Sequence, residues 1–321
     1  MELNIDQINA DFLPKNLLQK AYQEKWFKIF VSKKLDGLEA DLCQGLDIIR
    51  NCNKIMGSFG WCVNLGAGAN YFSGFYTEAG AKEVFLKPDC VLAGSGEFAS
   101  EIIATKEGYF VSGKWGKATG TSHATHFTCN GILPNGKNVS LTLNPKDVTI
   151  DKNWSLFAMK SSSSYEFSAV NAFVPHDLIF TINKPQHGQS YSIHQLPFDC
   201  FAEFCMTATA IGLAEGIVNK LEYELLKPAA KAALVDLETC IQGRLKIMNK
   251  LAIETWDKLK NEDQKLTFEA ISESVKITGK ELFKSVNKLY YDAGLLMADE
   301  RKLAHHHYKD FLLAIQHTIF K

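Results

Sequence analysis

The chain has 321 residues, 46 % hydrophobic and 22 % charged, which allows two or three domains around a large core and excludes a disordered chain. Lys and Arg number 35 against 36 Asp and Glu, a net charge of -1, so no cationic excess exists to neutralise phosphates and nucleic acid is not an expected partner. The opening Met1-Glu2-Leu3-Asn4-Ile5-Asp6 lacks the basic-then-apolar order of a signal peptide, and no apolar run looks close to the ~18 residues of a bilayer span, so a cytoplasmic protein without a membrane role is expected. The eight cysteines lie in apolar stretches with no CxxC pair and read as small buried hydrophobes, not disulfides or metal ligands.

Residues 1–88 read as a helical domain. Leu13, Leu17, Leu18 and Tyr22 recur at three- and four-residue steps, as do Leu42, Leu46, Ile49 and Ile55. A loop at Lys34-Leu35-Asp36-Gly37 separates them. A third helix is predicted from Trp61 to Phe75. Its small residues (Gly66, Ala67, Gly68, Ala69, Gly74) cost about 1 kcal/mol per interior glycine, which implies close packing or a bound ligand.

The character changes over 89–195. Tyr109–Ser112 and Asn138–Leu143 alternate with period two, and Pro134-Asn135-Gly136-Lys137 between them is a hairpin-turn signal. Val148–Ile150 and Glu166–Val170 add strands with no helix between, which predicts an antiparallel β-barrel. Over 196–321 the chain is helical again, first on a wide apolar face from Phe201 to Leu225. Three more helices follow at roughly 229–259, 267–292 and 300–320, bounded by Pro228, by Lys260-Asn261-Glu262-Asp263 and by Asp292-Ala293-Gly294. Short links between four long helices predict a four-helix bundle, and the whole is a mostly helical α+β fold.

The middle blocks carry a family resemblance. Gly108–Trp115 followed by Ala118–Ala124, then Trp154–Lys160, Ser162–Tyr165 and Phe173-Val174-Pro175, resemble flavoproteins of the acyl-CoA dehydrogenase superfamily. Within that superfamily the blocks look most similar to the branch containing the two-component flavin-dependent monooxygenases. Leu35–Glu39, Gly57–Trp61, His306–Asp310 and Ala314–His317 match the same branch in order. The resemblance implies FAD or FMN as cofactor and oxidation or hydroxylation of a small apolar substrate. It also implies a flavin reductase or electron-transfer partner and a homodimer or homotetramer assembled through the bundle.

Carried over by position, Trp115, Thr119 and Gly120 line the flavin ring with Ser162, Ser163 and Ser164 nearby. Hydroxyls and backbone N–H groups supply the donors and acceptors that such a ring requires. A core Trp115 and a solvated serine loop are the bland alternatives. His317 is the first candidate for proton transfer, against a core-edge histidine, and His123 is the second. Helical spacing places His306, Asp310, Leu313 and His317 on one face, where Asp310 is positioned to pair with His306. His305, His306 and His307 project ~100° apart and cannot share one metal ion. His126 is expected on a strand surface.

The glycine-rich block of the branch stands here as Ala158-Met159-Lys160-Ser161-Ser162-Ser163-Ser164, which loses three glycines and an arginine. No glycine-rich glutamate motif follows Gly294, which argues against acyl-thioester dehydrogenation. A divergent, non-catalytic homologue acting as a partner subunit is the alternative function. A plain helical scaffold is the remaining one.

Overall fold

The computed structural model describes residues 4–186, 191–261 and 268–321. The Met1-Glu2-Leu3 start, the Glu262-Asp263 half of an expected helix boundary and the expected start at residue 267 lie outside the described residues.

The first part is helical: α1 (Ile5–Asn9), α2 (Lys15–Gln23), α3 (Leu42–Ile55), α4 (Gly57–Asn70) and α5 (Glu78–Phe85). Their starts are written locally. Asp41 accepts the Gln44 N–H while the Gln44 side chain returns to the Asp41 N–H, closing a capping box on α3. Thr77 caps α5 through the Gly80 N–H. The glycines of α4 divide by purpose. A Cβ at Gly60 would meet Asn53 at 2.3 Å and one at Gly66 would meet Phe27 at 2.7 Å, whereas one at Gly68 meets nothing within 4 Å.

The strand region departs from the expected antiparallel barrel. It forms one mixed sheet of β1 (Leu92–Ala104), β2 (Gly108–Ala118), β3 (His126–Ile132), β4 (Asn138–Leu143), β5 (Thr149–Asp151), β6 (Tyr165–Pro175) and β7 (Ile179–Phe180). The spatial order is β5-β6-β2-β1-β3-β4-β7, and no ladder joins the ends among the described residues. β1 runs parallel to β3, from Leu92 opposite His126 to Ser100 opposite Gly131. The other ladders are antiparallel, including the β3–β4 hairpin at the predicted turn, where Gly136 takes φ +80. β6 also approaches β4, so the sheet curls without closing.

The last part comprises α6 (Phe198–Lys220), α7 (Pro228–Lys260), α8 (Glu269–Ala293), the short α9 (Leu295–Ala298) and α10 (Leu303–Ala314). Residues 204–217 of α6 are buried without interruption, so this helix has no polar stripe. By length and composition it could cross a bilayer, contrary to the expectation from sequence, but 83 % of that window is buried inside the fold. It is a core helix, packed against α3, α4, α7, α8 and α10. Gly212 marks the closest approach to α3, since a Cβ there would lie 2.3 Å from the Arg50 carbonyl oxygen. Gly212→Ala is therefore expected to lower the unfolding free energy by about 1–3 kcal/mol through overpacking, seen as a lower urea midpoint at unchanged slope.

Candidate active site

A cavity of about 270 Å³ lies where α4, the sheet and α6 meet. Asn64, Leu65, Gly68 and Ala69 of α4 form one wall, and Phe198, Phe201, Ala202, Cys205 and Met206 of α6 another. The sheet contributes Gly94, Ser95 and Gly96 from β1, Thr128 and Asn130 from β3, and Ser140 from β4. Thr119, His317 and Ile319 also border it, and Phe72, Leu92, Phe180 and Ile182 complete it. The β1–β3 register shifts between Gly94 and Phe98, and the β1–β2 ladder begins only at Ser100. The bulged stretch 95–97 is thus held away from regular pairing where it borders the cavity. A Cβ at Gly96 meets nothing within 4 Å, as at Gly68, so both glycines open directly onto space.

Thr119 is buried and central to a hydrogen-bond chain. Its Oγ1 accepts the Trp61 indole N–H at 3.1 Å and lies 2.8 Å from Ser164 Oγ, which in turn lies 2.8 Å from Ser162 Oγ. The chain joins α4 to the serine turn behind the cavity wall. Residues Ser161 to Ser164 are all buried, so the solvated serine loop is set aside. Ser161 Oγ donates to the Ile8 and Ala10 carbonyls, Ser163 Oγ donates to the Asp11 carbonyl, and the Gly120 N–H donates to the Ser162 carbonyl.

His317 reaches the cavity from the far end of the sequence. It is not on the last helix, as the spacing predicted, because α10 ends at Ala314 and His317 caps the following turn Thr318–Phe320. Its Nδ1 accepts the Ile319 N–H at 3.3 Å, which places the proton of the neutral ring on Nε2. The residue is exposed to solvent at the open side of the cavity, and partial desolvation of its ring lowers the imidazole below its ordinary pKa, favouring that neutral form. The ring sits edge-on to Trp61, with centroids 6.4 Å apart.

Of the residues nominated from sequence, Thr119 and His317 line the cavity, and Ser162 and Ser164 connect to it through Thr119. Ser163 and Gly120 shape the turn. Trp115 is fully buried within the sheet, stacked on Phe167 at 5.0 Å, and does not line the cavity. Its indole N–H has no partner among the described residues. His123 also lies away from the cavity, packed on Phe27 at 5.6 Å, with burial pushing its pKa down to about 4. His126 is buried, not on a strand surface. The cavity residues that sequence reasoning missed, Asn64, Gly94–Gly96, Asn130 and the α6 aromatics, carry no motif. Only the unexplained glycines hinted at them.

The expected Asp310–His306 pair does not form. His305, His306 and His307 each contact a different backbone carbonyl, of Met297, Glu300 and Leu303. Asp310 turns instead to the start of α4, where its carboxylate accepts the Ser58 N–H, and its Oδ1 accepts the Met159 N–H at 2.9 Å. A Cβ at Gly57 would fall 2.3 Å from Asp310 Oδ2, so glycine is required there. Complete burial outweighs these hydrogen bonds and pushes the Asp310 pKa up to about 7. A folded-state pKa above the unfolded value of about 3.9 means that the protonated acid favours the fold, and that this contribution is lost as pH rises through the folded value. Relative to Asp310→Asn, the wild type is expected to lose urea midpoint as pH rises from about 4 to about 7, and the difference between the two should level off above that.

No family model matches the chain. Three curated proteins do, one of them an indole-3-acetate monooxygenase from Pseudomonas putida, 24 % identical over 204 residues, 61 % of this chain and 51 % of that protein. A pigment production hydroxylase from Rhodococcus sp. is 26 % identical over 199 residues, 58 % of this chain and 51 % of that protein. The oxygenase component of an FADH(2)-dependent resorcinol hydroxylase from Rhizobium sp. is 22 % identical over 205 residues, 60 % of this chain and 50 % of that protein. The match thus spans about half the length of these curated relatives. Among solved structures, XiaF from Streptomyces sp., in complex with FADH2 and glycerol, superposes with a TM-score of 0.87 at 15 % identity, covering 98 % of this chain and 87 % of that one. The resemblance read from the sequence blocks is borne out, and the chain carries the fold of the flavin-dependent monooxygenases allied to the acyl-CoA dehydrogenases.

Proposed function

We propose that the protein is the oxygenase component of a two-component flavin-dependent monooxygenase that hydroxylates a small apolar substrate. The observation that carries this reading is the cavity itself, where Thr119 and His317, nominated from opposite parts of the sequence, line one space between the sheet and α6. The names of the matched relatives support the reaction class. The residues fit a flavin ring. Gly68 and Gly96 leave open space, and neutral hydroxyls and amides border it.

Thr119 would hold the ring edge by a hydrogen bond, with Ser164 and Ser162 fixing its hydroxyl and Trp115, Gly120 and Ser163 forming the support behind them. Reduced flavin, FAD or FMN, supplies oxygen activation when bound. The role of this chain is then to position, to exclude water and to move one proton. Phe72, Phe198 and Phe201 keep the interior dry, which strengthens every hydrogen bond made there. His317, with its proton on Nε2, is the donor or relay to a substrate oxygen. His123 is the weaker candidate, since it lies away from the cavity.

A separate flavin reductase is the partner that an oxygenase component requires. Val235 and Ile253 on α7, and Ile277, Phe283 and Tyr291 on α8, are exposed apolar side chains that suit assembly as a homodimer or homotetramer. The segments 1–88, 89–195 and 196–321 would act as domains around the site, in the cytoplasm. The loss of glycines does not favour a non-catalytic subunit, because the serine turn is fully hydrogen-bonded.

Titration with FAD and FMN, followed by visible absorption, tests the reading, and no spectral change with either flavin at tens of micromolar would overturn it. In the loaded protein, with reductase supplied, His317→Ala is expected to reduce kcat by about 10²–10⁴-fold while leaving the flavin Kd within error.

A further inference from the structure

The cavity has an aromatic half and a polar half, and both are uncharged. Phe72 lies 4.8 Å from Phe198 and 5.3 Å from Phe180 by ring centroids, with Phe201 beyond Phe198 at 6.3 Å. These rings gather at one end. No Asp, Glu, Lys or Arg lines the cavity among the described residues, where every polar atom belongs to a hydroxyl, amide, imidazole or sulfur group. Cys205 is held as the thiol by burial, and partial desolvation lowers the pKa of the solvent-exposed His317. Among the carboxylates adjacent in sequence to lining residues, Glu203 beside Ala202 turns to α8 and accepts the Ser272 hydroxyl at 2.6 Å, and Glu97 beside Gly96 accepts the Gly116 N–H at 2.9 Å. Asn130 Oδ1 accepts the Ser140 hydroxyl at 2.7 Å, so the polar half is already partly paired.

We infer, within the proposed monooxygenase reading, that the site discriminates by charge, taking an uncharged ring substrate and rejecting the same ring system bearing a carboxylate. Three constraints lead there. A carboxylate moved into this cavity would lose its hydration and find no cation, and an unpaired buried charge is penalised by several kcal/mol. Offset and edge-on contacts with four phenylalanine rings favour a flat aromatic over an aliphatic ligand of equal size. The volume of about 270 Å³ exceeds the ~150 Å³ known to hold a benzene ring. It therefore admits an aromatic ring in the flavin-free protein.

The test is calorimetric binding of indole, indole-3-acetamide and indole-3-acetate at pH 7, with the protein flavin-free and then FAD-loaded. The amide and the acetate match in shape and differ in charge. The two neutral probes are expected to bind, and the acetate about a hundredfold more weakly than the amide. Ile182→Arg, on the loop that borders the Phe180 end, should restore acetate binding. Ala202→Arg does the same from the opposite wall should the first variant fail to fold. Acetate affinity within about threefold of the amide, or no binding of either neutral probe, overturns the inference. Failure of the flavin reading shows separately, as no flavin spectral change while the neutral probes still discriminate.

Discussion

The constraint on which the fold depends is the burial of α6. A helix buried continuously from residue 204 to 217 has no side to offer water, so other elements must cover it all round. α3, α4, α7, α8 and α10 supply that cover. Each arrives with a stripe of its own, as in Leu282, Val286 and Leu289 of α8. Close approach is possible because α6 carries Gly212 against the Arg50 carbonyl and Gly216 against His307. The cavity occupies the sector of α6 where α4 gives way to the sheet, and its apolar character follows from what α6 must be.

The polar wall of that cavity rests on a second set of contacts. Asp310 joins three separate regions, receiving the Ser58 N–H at the start of α4 and the Met159 N–H of the serine turn while sitting on α10. The Trp61–Thr119–Ser164–Ser162 chain closes the same junction from the other side. His317 follows shortly after Asp310, just past the end of α10, so the carboxylate that fixes α10 also fixes the start of the path by which His317 comes to the cavity. A hydrogen-bonded junction of this kind specifies geometry where apolar packing alone would tolerate shifts.

Much of the architecture was legible because its signals are local. Helical periodicity located α2, α3, α7 and α8, and Pro134–Lys137 located a hairpin. The parallel β1 was not legible. Its Gly94-Ser95-Gly96 stretch has weak strand propensity, and its pairing with β3 is non-local. An open curled sheet and a closed barrel share the same short alternating strands, so the pattern could not separate them. At the site, the sequence blocks pointed to Thr119 and His317, which meet at the cavity. The reading of His317 on a helical face failed because α10 ends three residues earlier. The Asp310–His306 pairing failed because a helix start competes for the carboxylate. Spacing along one element says nothing of the partners other elements bring.

The serine block shows how the turn survives the loss of its glycines. Met159 and Ser163 take φ of 55 and 47, the left-handed region where the resembled branch has glycine at the position of Ser163. A non-glycine residue there costs about 1–2 kcal/mol. At Met159 the backbone N–H is spent on Asp310. At Ser163 the hydroxyl donates to the Asp11 carbonyl, and the residue's own carbonyl accepts the Thr121 hydroxyl at 2.8 Å and the Thr121 N–H at 3.2 Å. Each buried hydrogen bond contributes about 0.5–1.5 kcal/mol, enough together to offset the strain. The arginine replaced by Lys160 stood at a surface position here, where the lysine pairs with Asp11 at 2.7 Å. Side-chain hydrogen bonds have thus taken over from backbone freedom, and the segment that supports Thr119 keeps its course although the residues that usually make such a turn easy are gone.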